Sequence, residues 1–139
     1  MGAFSQYLEE AVLNHVLGIA AYTMPATVAI ALTTAVPTNT ETGATIAEAN
    51  YTGYARLTIT AADWAAIVAG NPSSIANSVQ LAFGNCTAGT NTILGYAICD
   101  SATAGAGNML IYGSVPSTVI STTQTPPEFA VGALTVSIA

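Results

Sequence analysis

The residue best suited to chemistry is His15, the only histidine in the chain. A nucleophilic set of the Ser–His–Asp kind would need it to meet a serine and either Asp63 or Asp100. No G-x-S-x-G elbow is present to supply the serine. His15 also lies between Val12 and Val16, beside an apolar stripe, where a half-buried helical histidine bonded to a backbone carbonyl is expected. Acid–base pairs would have to come from Glu41, Glu48, Asp63, Asp100 and Glu128, which occur singly and mostly in expected turns. Glu41 and Glu48 share one loop, but without the alternating acidic pattern of a calcium loop they are expected to face water. No G-x-G-x-x-G follows a strand, and no phosphate-binding G-K-S/T is present. Cys86 and Cys99 fit no zinc spacing. They are expected to be buried free thiols, with one disulfide as the alternative. Arg56 is the single cationic side chain, and it can pair within the domain or across a subunit boundary. No catalytic, cofactor-binding or metal-ligating residue is expected, and the chain does not read as an enzyme.

Few elements are needed to position these residues. Residues 5–17 read as a helix: Ser5 can cap it, Glu9 and Glu10 favour its first turns, and Gly18 stops it. Leu8, Val12 and Val16 recur every fourth residue, with Leu13 and Leu17 beside them, so the helix must pack on something. After Pro25 the period becomes two. In residues 27–33, Val28, Ile30 and Leu32 oppose Ala29 and Ala31, a strand buried on one face and smooth on the other. Further strands centre on Leu57, Leu81, Ala97, Ile111 and Val136, and Val119 starts another short one. Residues 37–50 read as a loop. Residues 61–69 read as a helical turn with Asp63 as its cap, and residues 102–108 as a glycine-rich hairpin loop. Pro126-Pro127 marks a loop or an edge, and Gly132 a bend. Short alternating strands joined by turns predict a mainly β fold: an antiparallel β-sandwich, jelly-roll or Greek-key like, with an N-terminal α-helix. One domain spans 1–139, and residues 1–20 carry the helix against or beside the sandwich.

Composition narrows the function. Only 6% of the residues are charged, against roughly 25% in an average soluble protein. With Lys+Arg of 1 and a net charge of −6, the chain cannot track a phosphate backbone or an anionic lipid surface. Nucleic acid and membrane are therefore excluded as main partners. The mean hydropathy is +0.56, yet the longest apolar run, residues 16–22, falls short of the roughly 20 residues a spanning helix needs. The acidic N-terminus is unlike a secretory signal. The chain is expected to be soluble and uncleaved, with much of its weakly charged surface covered by other subunits.

Several stretches resemble a family of small phage and prophage virion proteins, tail-fibre-like or minor structural. They begin with Leu13-Asn14-His15-Val16-Leu17, Ala21-Tyr22, Pro25-Ala26-Thr27-Val28, Ala31-Leu32-Thr33 and Pro37-Thr38. Gly53-Tyr54-Ala55-Arg56 is similar to the family's "GYAR" strand. Ile98-Cys99-Asp100 with Ala102-Thr103-Ala104-Gly105 resembles its "IFD-AATGG" hairpin, with cysteine in place of phenylalanine. Leu110-Ile111-Tyr112-Gly113 corresponds to "LLFHG", and Phe129-Ala130, Gly132 and Leu134 to the closing strand. The resemblance implies a β-sandwich building block of a virion and carries over no catalytic residues. It lapses across residues 61–77, where Trp64 and an apolar stretch replace a Gly/Ser-rich turn.

Fold alone does not place such a module in the particle. A compact domain with a short helix and no heptad shaft favours a capsid decoration (cement) protein that binds the major capsid protein, as a homotrimer, by apolar contact. The alternative is a tail-fibre or baseplate-associated protein. A secreted adhesin or pilin subunit and a small hydrolase are weaker competitors. Candidate subunit contacts are Arg56, Trp64, Leu8 and Val12; no cofactor or small-molecule substrate is expected. The location is the virion, assembled in the bacterial host cytoplasm.

Overall fold

The computed structural model describes residues 2–138. After a two-residue strand β1 (Ala3–Phe4), α1 runs from Gln6 to Val16. The remaining strands are β2 (Val28–Thr33), β3 (Leu57–Ile59), β4 (Ser73–Ala76), β5 (Leu81–Ala82), β6 (Asn91–Cys99), β7 (Met109–Ile120), β8 (Glu128–Phe129) and β9 (Thr135–Ile138). Five of them form one antiparallel sheet in the order β1-β7-β6-β2-β3, while β4-β9 and β5-β8 form two-stranded ribbons. The fold is mainly β with an N-terminal helix, as the alternation predicts. All six expected strand centres lie in strands. The second layer is made of the two ribbons rather than a full second sheet.

Both faces of the main sheet are covered around β6, its central strand, and the neighbouring β2. Ile30 pairs across to Leu57 on one side and Ile98 on the other. On that face Ile30, Leu32, Tyr96 and Ile98 pack with Leu81, Phe129 and Val136 of the ribbons and with Leu134 just before β9. The opposite face carries Ala31, Ala97, Cys99 and Met109, packed under Ile46 from the long β2–β3 connection. Alanines there let the loop approach closely, and Ala29, Ala31 and Ala97 are wholly buried. The small second face of β2 is thus roofed by a loop.

Local differences from the sequence have physical causes. Val119 does not begin a strand of its own; it lies in the tail of the twelve-residue β7. Gly95 pairs with Ser114 and Ile93 with Thr118, so residues 115–117 face Leu94 alone. Pro116 sits in that bulge, where its missing N–H breaks no ladder bond. The expected helical turn is shorter than residues 61–69: a 3-10 turn covers Ala61–Asp63. Asp63 accepts from the Thr60 N–H at 2.7 Å and its hydroxyl at 2.9 Å, which closes a capping box and exhausts the turn. Beyond it, Trp64 makes an isolated bridge to Asn77.

Candidate assembly surface

Two sites stand out, one polar and interior, the other apolar and exterior. The first is built around Arg56. Tyr54 and Arg56, in the segment leading into β3, both reach Glu48. Arg56 Nε donates to Glu48 Oε1 and Nη2 to Oε2, each at 2.8 Å. Nη2 also donates to the Gly43 carbonyl at 2.7 Å, and Nη1 to the carbonyls of Ser101 at 2.9 Å and Ala106 at 2.8 Å. These five bonds use all five N–H donors of the guanidinium. Glu48 further accepts from Tyr54 Oη at 2.7 Å and the Gly105 N–H at 3.0 Å. Tyr54 Oη in turn accepts from the Leu32 N–H of β2.

The clasp therefore ties the β2–β3 connection to the tip of the β6–β7 hairpin. Asp100 closes the base of that hairpin, accepting from the Asn108 N–H at 2.6 Å and from Nδ2 at 2.8 Å. Gly43 permits the contact, since a Cβ there would strike the Ala106 carbonyl. Burial alone would raise the Glu48 carboxyl pKa. Hydrogen bonds from Arg56, Tyr54 and the Gly105 N–H, with the Arg56 charge, outweigh burial and hold it below the ordinary value. Burial also pushes the Cys99 thiol up to about 11. Both cysteines are free and buried.

These contacts correct the expectation that Arg56 is a subunit contact. Its side chain is wholly inaccessible and has no donor left for a partner, so the intradomain pairing is the one formed. Leu8 is corrected in the same way. It is the one buried residue of α1, and it lines an apolar groove of about 320 Å³ with Tyr22, Val28, Trp64, Ile75 and Val136. Trp64, half-buried, packs against the core from that groove. Glu41 accepts from the Thr38 N–H and hydroxyl, far from the role of Glu48, so the two do not form one site. His15, Asp63 and Asp100 are likewise engaged separately. His15 Nδ1 accepts from the Tyr22 N–H at 3.1 Å. His15 is exposed and bonds a backbone N–H through its ring, rather than half-burying against a carbonyl.

The second site is the outer face of α1. Ser5 anchors the helix start: it is wholly buried, accepts from the Leu8 N–H and donates to the Met109 carbonyl of β7. The C-terminal end is closed by Gly18 at φ +72. There the Ile19 N–H reaches Asn14 O at 2.8 Å and the Gly18 N–H reaches His15 O at 3.2 Å, the paired bonds of a Schellman ending. The chain then folds back beside Tyr7, Ala11 and Asn14, leaving a cleft between helix and return segment. The other face, Val12, Leu13, Val16 and Leu17, has no cover. Leu13 is 59% exposed, Val16 73% and Leu17 68%. Among the described residues, seven of the fourteen exposed large apolar side chains fall between Tyr7 and Met24. The uncovered face of α1 is therefore a candidate contact site. Of the four expected contact residues, Val12 alone belongs to it.

A β body knotted internally by its one cation, presenting a bare apolar helix, has the form of a structural assembly component. The family model for podophage GP4 fiber I protein gp80 matches residues 3–137, and the chain belongs to this family of phage fibre structural proteins. No curated protein matches the sequence.

Proposed function

We propose that the chain is a subunit of a phage fibre, a non-catalytic virion component attached through the apolar face of α1. The observation that carries this reading is the fibre-family match over nearly the whole chain, and the uncovered helix supplies a physical means of attachment. Fully burying a side chain such as Val, Leu or Ile is worth about 1.5–3 kcal/mol. Four such residues give about 6–12 kcal/mol, comparable to the roughly 4–15 kcal/mol that association costs. One helix thus binds modestly, and a stable attachment needs further contact or several copies acting together. A homotrimer is part of the proposal, supported by the low charge of the chain. A stable monomer in sedimentation at micromolar concentration would count against it.

Capsid decoration, with the major capsid protein as partner, is the second reading. It is favoured by the shape of the described residues: one compact body whose helix of eleven residues is too short for a shaft. Quantitative mass spectrometry of purified particles separates the two. A few to a few dozen copies per particle support the fibre, whereas hundreds would place the protein on the head.

A further inference from the structure

The charges left at the surface indicate what kind of socket α1 enters. The sequence has seven acidic residues and one cationic residue, and that cation is consumed inside the clasp with Glu48. Six carboxylates remain without a cationic partner: Glu9, Glu10, Glu41, Asp63, Asp100 and Glu128. Among the described residues, no lysine or free arginine is on the surface to balance them. Glu9 and Glu10 both stand exposed on α1, one turn or less before the apolar face begins. Asn39 Nδ2 donates to Glu9 and to the Phe4 carbonyl, which fixes the 38–41 turn, with its own Glu41, beside the base of the helix.

We propose that the Val12, Leu13, Val16 and Leu17 face docks into an apolar groove on a different virion protein, one whose rim carries lysine opposite Glu9 and Glu10. The inference rests on the reading of α1 as the attachment element. A second copy is the poorer occupant. Parallel pairing would set Glu9 and Glu10 against the same acids with no cation to answer them. Antiparallel pairing would set them against the C-terminal, negative end of the partner helix. A lysine rim removes both conflicts, speeds encounter and selects the partner.

Lysine is absent from this sequence, so a zero-length carbodiimide, which joins carboxylates to amines, tests the proposal on intact purified particles. A carboxylate of this sequence can couple only to a terminal amine, its own or that of a second copy, or to another protein. The expected result is Glu9 or Glu10 joined to a lysine of one other virion protein, and loss of that product in E9Q/E10Q. Glutamine keeps the acceptor for Asn39, so the helix base stays in place. The same variant should attach to particles assembled without the protein about tenfold more slowly at low ionic strength, with the difference vanishing in high salt. Glu9 or Glu10 coupled to the terminal amine of a second copy would overturn the proposal. So would particles that carry the protein yet yield no coupling; both outcomes leave the attachment reading standing. Absence of the protein from purified particles would overturn both.

Discussion

The clasp and the outer face of α1 spend their side chains in opposite ways. Around Arg56, a charge is taken wholly out of water and every donor it has is matched, with a carboxylate and three carbonyls converging from two loops. On α1, Leu13, Val16 and Leu17 stay largely in water although they are among the residues most worth burying. The clasp costs desolvation and returns a fixed relation between loops that have no regular structure of their own. The helix face costs solubility and returns nothing to the isolated fold. A chain with so few charges could have used its one cation for solubility or for a partner. It uses it internally, which leaves apolar contact as the main currency for binding anything else.

The contrast is broken most directly at Arg56. Arg56→Met removes the charge and all five bonds, leaving the Glu48 carboxylate with only the Tyr54 hydroxyl and the Gly105 N–H and no cation. Removing one partner of a buried pair costs about 3–5 kcal/mol, and the loss should appear as a lower urea midpoint with an unchanged slope. A loss under about 1 kcal/mol, the range of a surface pair, would mean that the clasp does not organise the loops. Acid provides a gentler version. Because the Glu48 pKa is lowered in the folded chain, its contribution is fully present above the ordinary carboxylate range and is lost as pH falls through the lower folded value. Glu48→Gln should therefore be less stable at neutral pH and show a flatter fall in stability on acidification. A fall as steep as in the parent chain would assign the acid sensitivity to other carboxylates.

Leu8 sharpens the comparison, because it is the one residue of α1 that behaves like the interior. Leu8→Ala should cost about 2–3 kcal/mol, at the low end for a core leucine, since the groove it lines already opens to solvent. Amide exchange along α1 should quicken with it. Unchanged exchange would mean that Ser5, through β7, holds the helix alone.

The division between what could and could not be read from the sequence follows the same line. Period-two alternation located β2, β3, β6 and β7 because their side chains face a buried layer, and Ser5 with Gly18 bounded α1 because both act locally. The clasp was not legible. Arg56 meets Glu48 only eight residues away, but Ser101 and Ala106 come from 45 and 50 residues along, and carbonyl acceptors leave no mark on sequence. A local hint existed in Tyr54 and Arg56, two residues apart. Similar hints lay in Thr38–Glu41 and Thr60–Asp63, whose spacing is that of capping boxes. Glu41 binds backbone where a solvated loop was expected, and Asp63 stands at the third position of its turn, with Thr60 as the cap in its place. The strand Ser73–Ala76 lacks alternation and was missed. Leu8 and Val12 share a stripe four residues apart, yet one is core and the other surface. Periodicity gives the side of a helix and not how far along it the body extends.

The smallest effect on folding and the largest on assembly should come from the same variant. In Val16→Ser/Leu17→Ser, the changed residues are the last turn of α1 and its C-cap, where neither side chain has a core partner. Surface substitutions of this kind stay within about 0.5 kcal/mol, so the urea midpoint should hardly move. Attachment should behave differently, because two of the four docking side chains are gone, each worth about 1.5–3 kcal/mol. A loss of about 3–6 kcal/mol is at least about a hundredfold in affinity, and the variant should be nearly absent from purified particles. Val131→Ser, at an equally exposed valine away from α1, should be incorporated in full. Parent chains already on particles should stay there in raised salt, because screening weakens exposed charge pairs and leaves apolar contact intact. Particles carrying the double variant at the normal copy number, or releasing the parent chain in moderate salt, would show that the bare face of α1 is not what holds this protein in place.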